Sequence, residues 1–276
     1  MIEGMISMRK QWKKAFFVLF VFLLLLTGCG KEQEIATAGS AEGESDLAYI
    51  QSKGTFVAGI TDFAPMDYRD GVEWKGFDAE LAEAFAERIG VTLVLREIDW
   101  DDKTRLLEQG EIDCIWNGMT MTPTLVESIS CSRPYLSNAQ VVVMHEEELK
   151  QYQTIEECQH LLFAVEAGST GEALLKEKKY RYTARATQKE ALQSVLDKKA
   201  DAAVIDIIMA AHNTGGGQEY DKLGLGISLN DEKICVGFRR GSDLTGEADA
   251  FIQAVYEDGS IDTLAEKYGI GNAVLK

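Results

Sequence analysis

Short apolar runs alternate with amphipathic segments along most of this chain, and that alternation limits the fold more than any other feature. Thr55 to Ile60 reads as a strand, followed by the loop Thr61-Asp62-Phe63-Ala64-Pro65-Met66. Asp78 can cap a helix whose Leu81, Phe85 and Ile89 share one face with Ala82 and Ala86, and Gly90 stops it. Val91 to Ile98 is a second strand. Asp99-Trp100-Asp101 opens a second helix carrying Leu106 and Leu107, which ends at Gly110. Strand, helix, strand, helix, strand in that order calls for a mostly parallel sheet with helices on both faces.

The third strand, Ile112 to Trp116, empties into Asn117-Gly118 and the polar turn Thr120-Met121-Thr122-Pro123 before a helix-like Thr124 to Ile129. Such a strand end leaves backbone N–H groups and hydroxyls open at the edge where α/β sheets hold ligands. An ordinary strand-turn-helix connection fits the same residues. After Pro134-Tyr135-Leu136 the chain runs extended through Gln140 to Met144, and a second α/β set begins. It comprises helix Ile155 to His160, strand Leu161 to Val165, turn Glu166 to Thr170, helix Gly171 to Lys179, helix Gln188 to Lys198 and strand Ala202 to Ile205, with Asp206 at its end. Gly215-Gly216-Gly217 is a loop, Lys233 to Phe238 is again extended, and helices Leu244 to Tyr256 and Ile261 to Tyr268 close the chain. Two α/β sets joined by two extended crossings suggest a pair of lobes with a cleft between them.

The front end is of another kind. Arg9, Lys10, Lys13 and Lys14 precede the apolar run Ala15 to Leu26, which is too short to span a bilayer comfortably, and Leu26-Thr27-Gly28-Cys29 closes it. This is the pattern of a secretory signal, and its last four residues resemble the bacterial lipobox, which implies diacylglyceryl attachment to Cys29. Removing residues 1–28 takes away those four bases and Glu3, so the 28 basic and 45 acidic residues of the whole chain become 24 and 44. A net charge near −20 repels nucleic acid and anionic membrane surfaces, so a lipid on Cys29 must supply the membrane attachment. Lys31 to Asp46, rich in Ala, Gly, Ser and Glu, reads as a flexible tether. Cys114, Cys131, Cys158 and Cys235 lack the short spacing of a zinc site; buried free thiols and one disulfide both remain open. The residues suggest no cofactor, metal or nucleophilic triad, and His145, His160 and His212 stand singly.

Six phrases occur in an order that resembles the polar amino-acid-binding proteins of ABC importers, the solute-binding family 3 with the type II periplasmic-binding-protein fold. They are Gly76-Phe77-Asp78, Ile112-Asp113-Cys114 leading into Gly118-Met119-Thr120-Met121-Thr122, Ser132-Arg133-Pro134-Tyr135, Ala167-Gly168-Ser169-Thr170, Ala200-Asp201-Ala202 and Asp258-Gly259-Ser260. The resemblance implies lobe 1 from residues 47–138 with 233–276 and lobe 2 from residues 139–232, behind a signal peptide of residues 1–28 and a tether of residues 29–46. It implies a monomer that takes a small amino acid or cationic amine by hinge closure near Asn138 to Val141 and Asp231 to Cys235, and hands it to an ABC permease.

Residue by residue, the resemblance puts the ligand ammonium on Asp206, which could otherwise be a helix N-cap for Ile207 onward. It puts the ligand carboxylate on backbone N–H groups near Thr120 and at Ser169-Thr170, where a helix presents its positive end. Phe63 and Trp100 take the positions of rings that flank the ligand, with core packing as the alternative. Glu166 would favour a cationic or amide group, and Asp62, Asn117 and Gly118 complete the implied site. One departure stands out. Leu125 occupies the place where the family carries a carboxylate-binding arginine, and a charge-assisted double contact of that kind is worth roughly 3 kcal/mol. Arg133 is the nearest cation in sequence. An enzyme on the same fold, such as a dehydratase, is the competing class, with Glu166 and Asp206 as its acid–base pair; a sensory or structural surface lipoprotein is the third.

Overall fold

The computed structural model describes residues 45–275. The signal segment, Cys29 and most of the expected tether therefore lie outside the described residues. Asp46, expected to end the tether, instead opens helix α1 (Asp46–Lys53), where Ser45 accepts the N–H of Ala48 and Gly54 closes the helix with φ 74°.

Two five-stranded sheets follow. The first has the order β4-β1-β5-β14-β6, from Thr55–Ile60 (β1), Thr92–Glu97 (β4), Cys114–Ile115 (β5), Ser130–Cys131 (β6) and Gly237–Phe238 (β14). The second has the order β10-β9-β11-β8-β12, from Gln140–His145 (β8), Leu162–Glu166 (β9), Arg181–Arg185 (β10), Ala202–Asp206 (β11) and Leu223–Ser228 (β12). In each, three neighbouring strands run parallel, β4-β1-β5 and β10-β9-β11, and the remaining pairings are antiparallel. The sheets are thus mixed where a mostly parallel arrangement was expected, because the chain enters the second sheet through β8 and returns to the first through β14. Between them a ribbon of Leu136–Asn138 (β7) and Glu232–Ile234 (β13) pairs the two crossings antiparallel.

Helices cover both sheets. Helix α2 (Phe77–Ile89) buries Leu81, Ala82, Phe85, Ala86 and Ile89, the stripe its spacing foretold. The last helices, α8 (Leu244–Glu257) and α9 (Ser260–Lys267), return to the first sheet, where the Phe251 ring lies 5.6 Å from Phe85 and 6.4 Å from Trp116. Such aromatic pairs add about 0.5–1.5 kcal/mol each beyond burial. The expected helix at Ile155 is a 3-10 turn, Ile155–Cys158, and the second helix opens as the 3-10 turn Trp100–Asp102 before α3 (Lys103–Glu108). The four cysteines in the described region are free thiols, buried except for Cys131.

Asp78 does not cap α2. Gly76 holds the N-cap position, and the first N–H groups of the helix, those of Phe77 and Asp78, donate to Pro65 and Met66 carbonyls at 3.0 and 2.9 Å. The loop 61–67 therefore satisfies the helix end, and the buried Asp78 carboxylate is left to accept from the Gly118 N–H at 2.6 Å and the Tyr135 hydroxyl at 2.8 Å. A side chain at Gly76 would destroy this seat, since its Cβ would lie 2.0 Å from the Met66 carbonyl oxygen at φ 138°. Gly76→Ala is expected to cost about 3 kcal/mol or more. Gly246→Ala in α8, where nothing lies within 4 Å, is expected to stabilise by about 0.5–1 kcal/mol. Thermal melts of the two variants against the parent check both signs.

Candidate functional site

The carboxyl ends of adjacent parallel strands face one cavity from both sheets. On the first sheet, β1 and β5 lead into Thr61 and into Asn117-Gly118; on the second, β9 and β11 end in Glu166 and Asp206. The cavity has a volume of about 460 Å³, and Phe63, Trp100, Asn117, Gly118, Thr120, Glu166, Ser169, Thr170 and Asp206 all line it.

Asp62 does not. Thr61 and Phe63, its neighbours on either side, line the cavity. The charges around the Asp62 carboxylate are Lys189, Glu97, Glu219 and Arg69, and partial burial raises its pKa.

The second-sheet wall is organised by Asp206. Its Oδ1 accepts from Asn138 Nδ2 and, at 3.0 Å, from Gln140 Nε2, while Oδ2 accepts from Gln188 Nε2. A carboxylate offers about four acceptor directions, so one remains for a ligand. Asp206 holds the N-cap position of the following helix, α7 (Ile207–Asn213), but its side chain makes no capping hydrogen bond, so the carboxylate faces the three amides instead. Burial pushes the Asp206 pKa up to about 7, with Glu232 nearby adding to the rise. Glu166, also buried, is pushed up to about 8 by burial and then by Asp206, against the pull of Lys103. Ser169 caps α5 (Thr170–Glu177) by accepting the Glu172 N–H at 3.1 Å.

The first-sheet wall is a scaffold. Asn117 lines the cavity, yet its amide is occupied: Oδ1 accepts from Thr61 N and Oγ1 at 3.0 and 2.7 Å, and Nδ2 donates to Asp67 Oδ2 at 2.6 Å. Its work is to hold the loop that carries Phe63. Gly118 has φ 56°, and a Cβ there would stand 2.4 Å from the Phe63 ring, so glycine is what lets the ring lie against the backbone. Thr120 Oγ1 donates to Glu232 Oε2 at 2.8 Å.

Leu125, Gln140, Gln188 and Lys103 are the lining residues that matter most beyond the expected set. Lys103 is only 7 % exposed, and its ammonium bridges the two sheets' loops, donating to the Trp100 carbonyl at 3.0 Å and the Gly168 carbonyl at 2.8 Å. It lies 4.7 Å over the Trp100 ring, and burial pushes its pKa down to about 8. The one sequence signal was its place three residues after Trp100, which puts both side chains on one helical face. Arg133, by contrast, bonds Gln253 and lies away from the cavity.

The model of the bacterial extracellular solute-binding proteins, family 3, matches residues 56–271. The chain belongs to this family. Among family 3 relatives, the arginine-binding extracellular protein ArtP of Bacillus subtilis is 25 % identical over 259 residues, covering 90 % of this chain and 97 % of that one. The crystal structure of a Streptococcus pneumoniae ABC uptake transporter substrate-binding protein with bound histidine superposes with TM-score 0.77 at 25 % identity, covering 84 % of this chain and 99 % of that one. A cyclohexadienyl dehydratase of Pseudomonas aeruginosa is 27 % identical over 182 residues, 64 % of this chain and 68 % of that enzyme. This family 3 chain is therefore an extracytoplasmic solute-binding protein of the two-lobed α/β fold, similar to proteins that bind amino acids for ABC importers.

The buried carboxyls set a pH dependence. Asp206, Asp78 and Glu166 hold their protons more tightly in the fold, at about 7, 7 and 8, than in the unfolded chain, where carboxyls titrate near 4. Their contribution to stability is complete below about pH 4 and is lost as pH rises through about 7 to 8, at up to about 1.4 kcal/mol per pH unit and group. Lys103 titrates at about 8 and above, so it adds no slope below that. The unliganded protein is expected to melt at higher temperature at pH 5 than at pH 8. Glu166→Gln with Asp206→Asn should reduce that slope to the share of Asp78, whereas a general self-repulsion of the acidic surface would leave it unchanged and would respond to salt instead.

Proposed function

We propose that this chain is the lipid-anchored receptor of an ABC importer, and that it captures a small cationic solute, an amino acid or related amine, between its two sheets. One observation carries the reading: the Asp206 carboxylate from the second sheet and the Phe63 and Trp100 rings from the first line the same cavity. An acid buried at a strand end retains a cost that a cationic ligand removes, and rings give the ligand body dispersion and apolar contact. Relatives named for arginine and for histidine support the same ligand class.

Capture works by closure. Residues 47–138 with 233–276 form one lobe and residues 139–232 the other, and the crossings β7 and β13 bend between them. Contacts such as Lys103 to Gly168 and Asn213 Nδ2 to the Ala64 carbonyl, at 3.2 Å, are those that opening breaks. A ligand touching both walls favours the closed form, which the permease recognises. Cys29, after signal cleavage, carries the lipid that keeps the acidic receptor at the outer membrane face of the permease. The dehydratase among the relatives represents the competing class, which needs an acid–base pair beside a carboxylate clamp; Leu125 supplies no clamp.

Asp206→Ala should abolish the thermal stabilisation that a panel of cationic amino acids and amines gives the parent, a loss of about 3 kcal/mol in binding. Undiminished stabilisation of the variant would remove Asp206 from the site. Tryptophan emission should change on titration with any binder from that panel, because Trp100 lines the cavity.

A further inference from the structure

A zwitterionic ligand needs two opposite poles in one cavity, and the walls here supply mainly one. Asp206, Glu166, Asp101 and Glu108 all line it. Lys103 is the one Lys or Arg among the described lining residues, and two of its three N–H donors already go to the Trp100 and Gly168 carbonyls. It is one basic group beside four acidic ones.

Several of the groups that could hold a ligand carboxylate are already engaged within the chain. At the start of α5, Glu172 turns its own carboxylate back onto the Gly168 N–H at 2.8 Å, and the Ser169 hydroxyl accepts from the Glu172 N–H. A second anion on this turn would meet that charge at short range. Across the cavity, Asp78 occupies the Gly118 N–H, Thr120 spends its hydroxyl proton on Glu232, and the Asn117 amide is bound into the loop 61–67. On helix α4 (Pro123–Ser128), the Thr122 hydroxyl accepts the Leu125 N–H at 3.2 Å, and the Leu125 side chain presents only carbon to the cavity.

We propose that the ligand of this site is a cation without a free carboxylate: an aliphatic or guanidino amine, or an amino-acid derivative whose carboxyl is blocked. The proposal rests on the reading of the cavity as a solute site and narrows it. The cationic head sits on Asp206 and Glu166, the hydrocarbon or guanidinium body lies with Phe63, Trp100 and Leu125, and no buried carboxylate is asked to stand among others.

Calorimetric titration of the full chain in detergent with matched compounds tests this: arginine against arginine amide and 1-amino-4-guanidinobutane, and lysine against 1,5-diaminopentane. The carboxylate-free partner is expected to bind at least tenfold tighter in one or both series, and Leu125→Arg is expected to swing the ratio toward the amino acid by a similar factor. Equal or tighter binding of the free amino acid in both series overturns the proposal and leaves the receptor reading in place. A preference that Leu125→Arg does not move overturns it too, because the missing positive pole would then not be its cause. Absence of binding by every compound overturns the cationic-solute reading along with it.

Discussion

A carboxylate taken out of water at the end of a strand is the constraint around which this molecule is arranged. Asp206 is 6 % exposed, and it is held by amides from three separate elements: Asn138 on a crossing, Gln140 on β8 and Gln188 at the start of α6 (Gln188–Leu196). Three neutral donors orient the group without cancelling its charge. Asn138 and Gln140 also donate to Glu232 on the other crossing, so the same polar cluster ties both crossings to the sheet edge where Asp206 stands. In the proposed closure, bending at the crossings and occupancy of the carboxylate would be linked through these shared hydrogen bonds.

The opposite wall earns its precision from a second set of buried polar groups. Asp78, displaced from capping by the loop 61–67, fixes the Gly118 backbone, and Asn117 fixes the loop that carries Phe63. Asp67, fully buried, accepts from Asn117 and is pushed well above the usual carboxyl range by burial and by neighbouring Asp78. Hydrogen bonds here position the ring. The first wall thus supplies the rings, the second supplies the buried Asp206 and Glu166, and Lys103 joins the two over the Trp100 ring.

Elements with a clear period were legible in the sequence: α2 by its apolar stripe, β11 by four apolar residues before Asp206, and α8 and α9 by helical spacing. The hairpin of Tyr68–Asp70 (β2) and Glu73–Lys75 (β3) was not, because four of its six residues are charged and none is buried. Nor was β10, an edge strand with no buried face in Arg-Tyr-Thr-Ala-Arg. Of the expected site, the residues at strand ends and in the Gly-Ser-Thr turn meet at the cavity, since chain order alone places them at sheet edges. Asp62, placed in the expected site, is not among the residues that line the cavity. Lys103 was passed over because a lysine in a helix ordinarily reads as solvated; its burial comes from the Gly168 loop, 65 residues away in sequence.

If a cation completes the charge at Asp206 and Glu166, its arrival must expel protons that burial has held there. Calorimetry of one bound amine at pH 7 in two buffers of different ionisation heat measures this directly. The account predicts release of about one proton per ligand, abolished in Asp206→Asn with Glu166→Gln. Binding with no proton release, or with proton uptake, would contradict it.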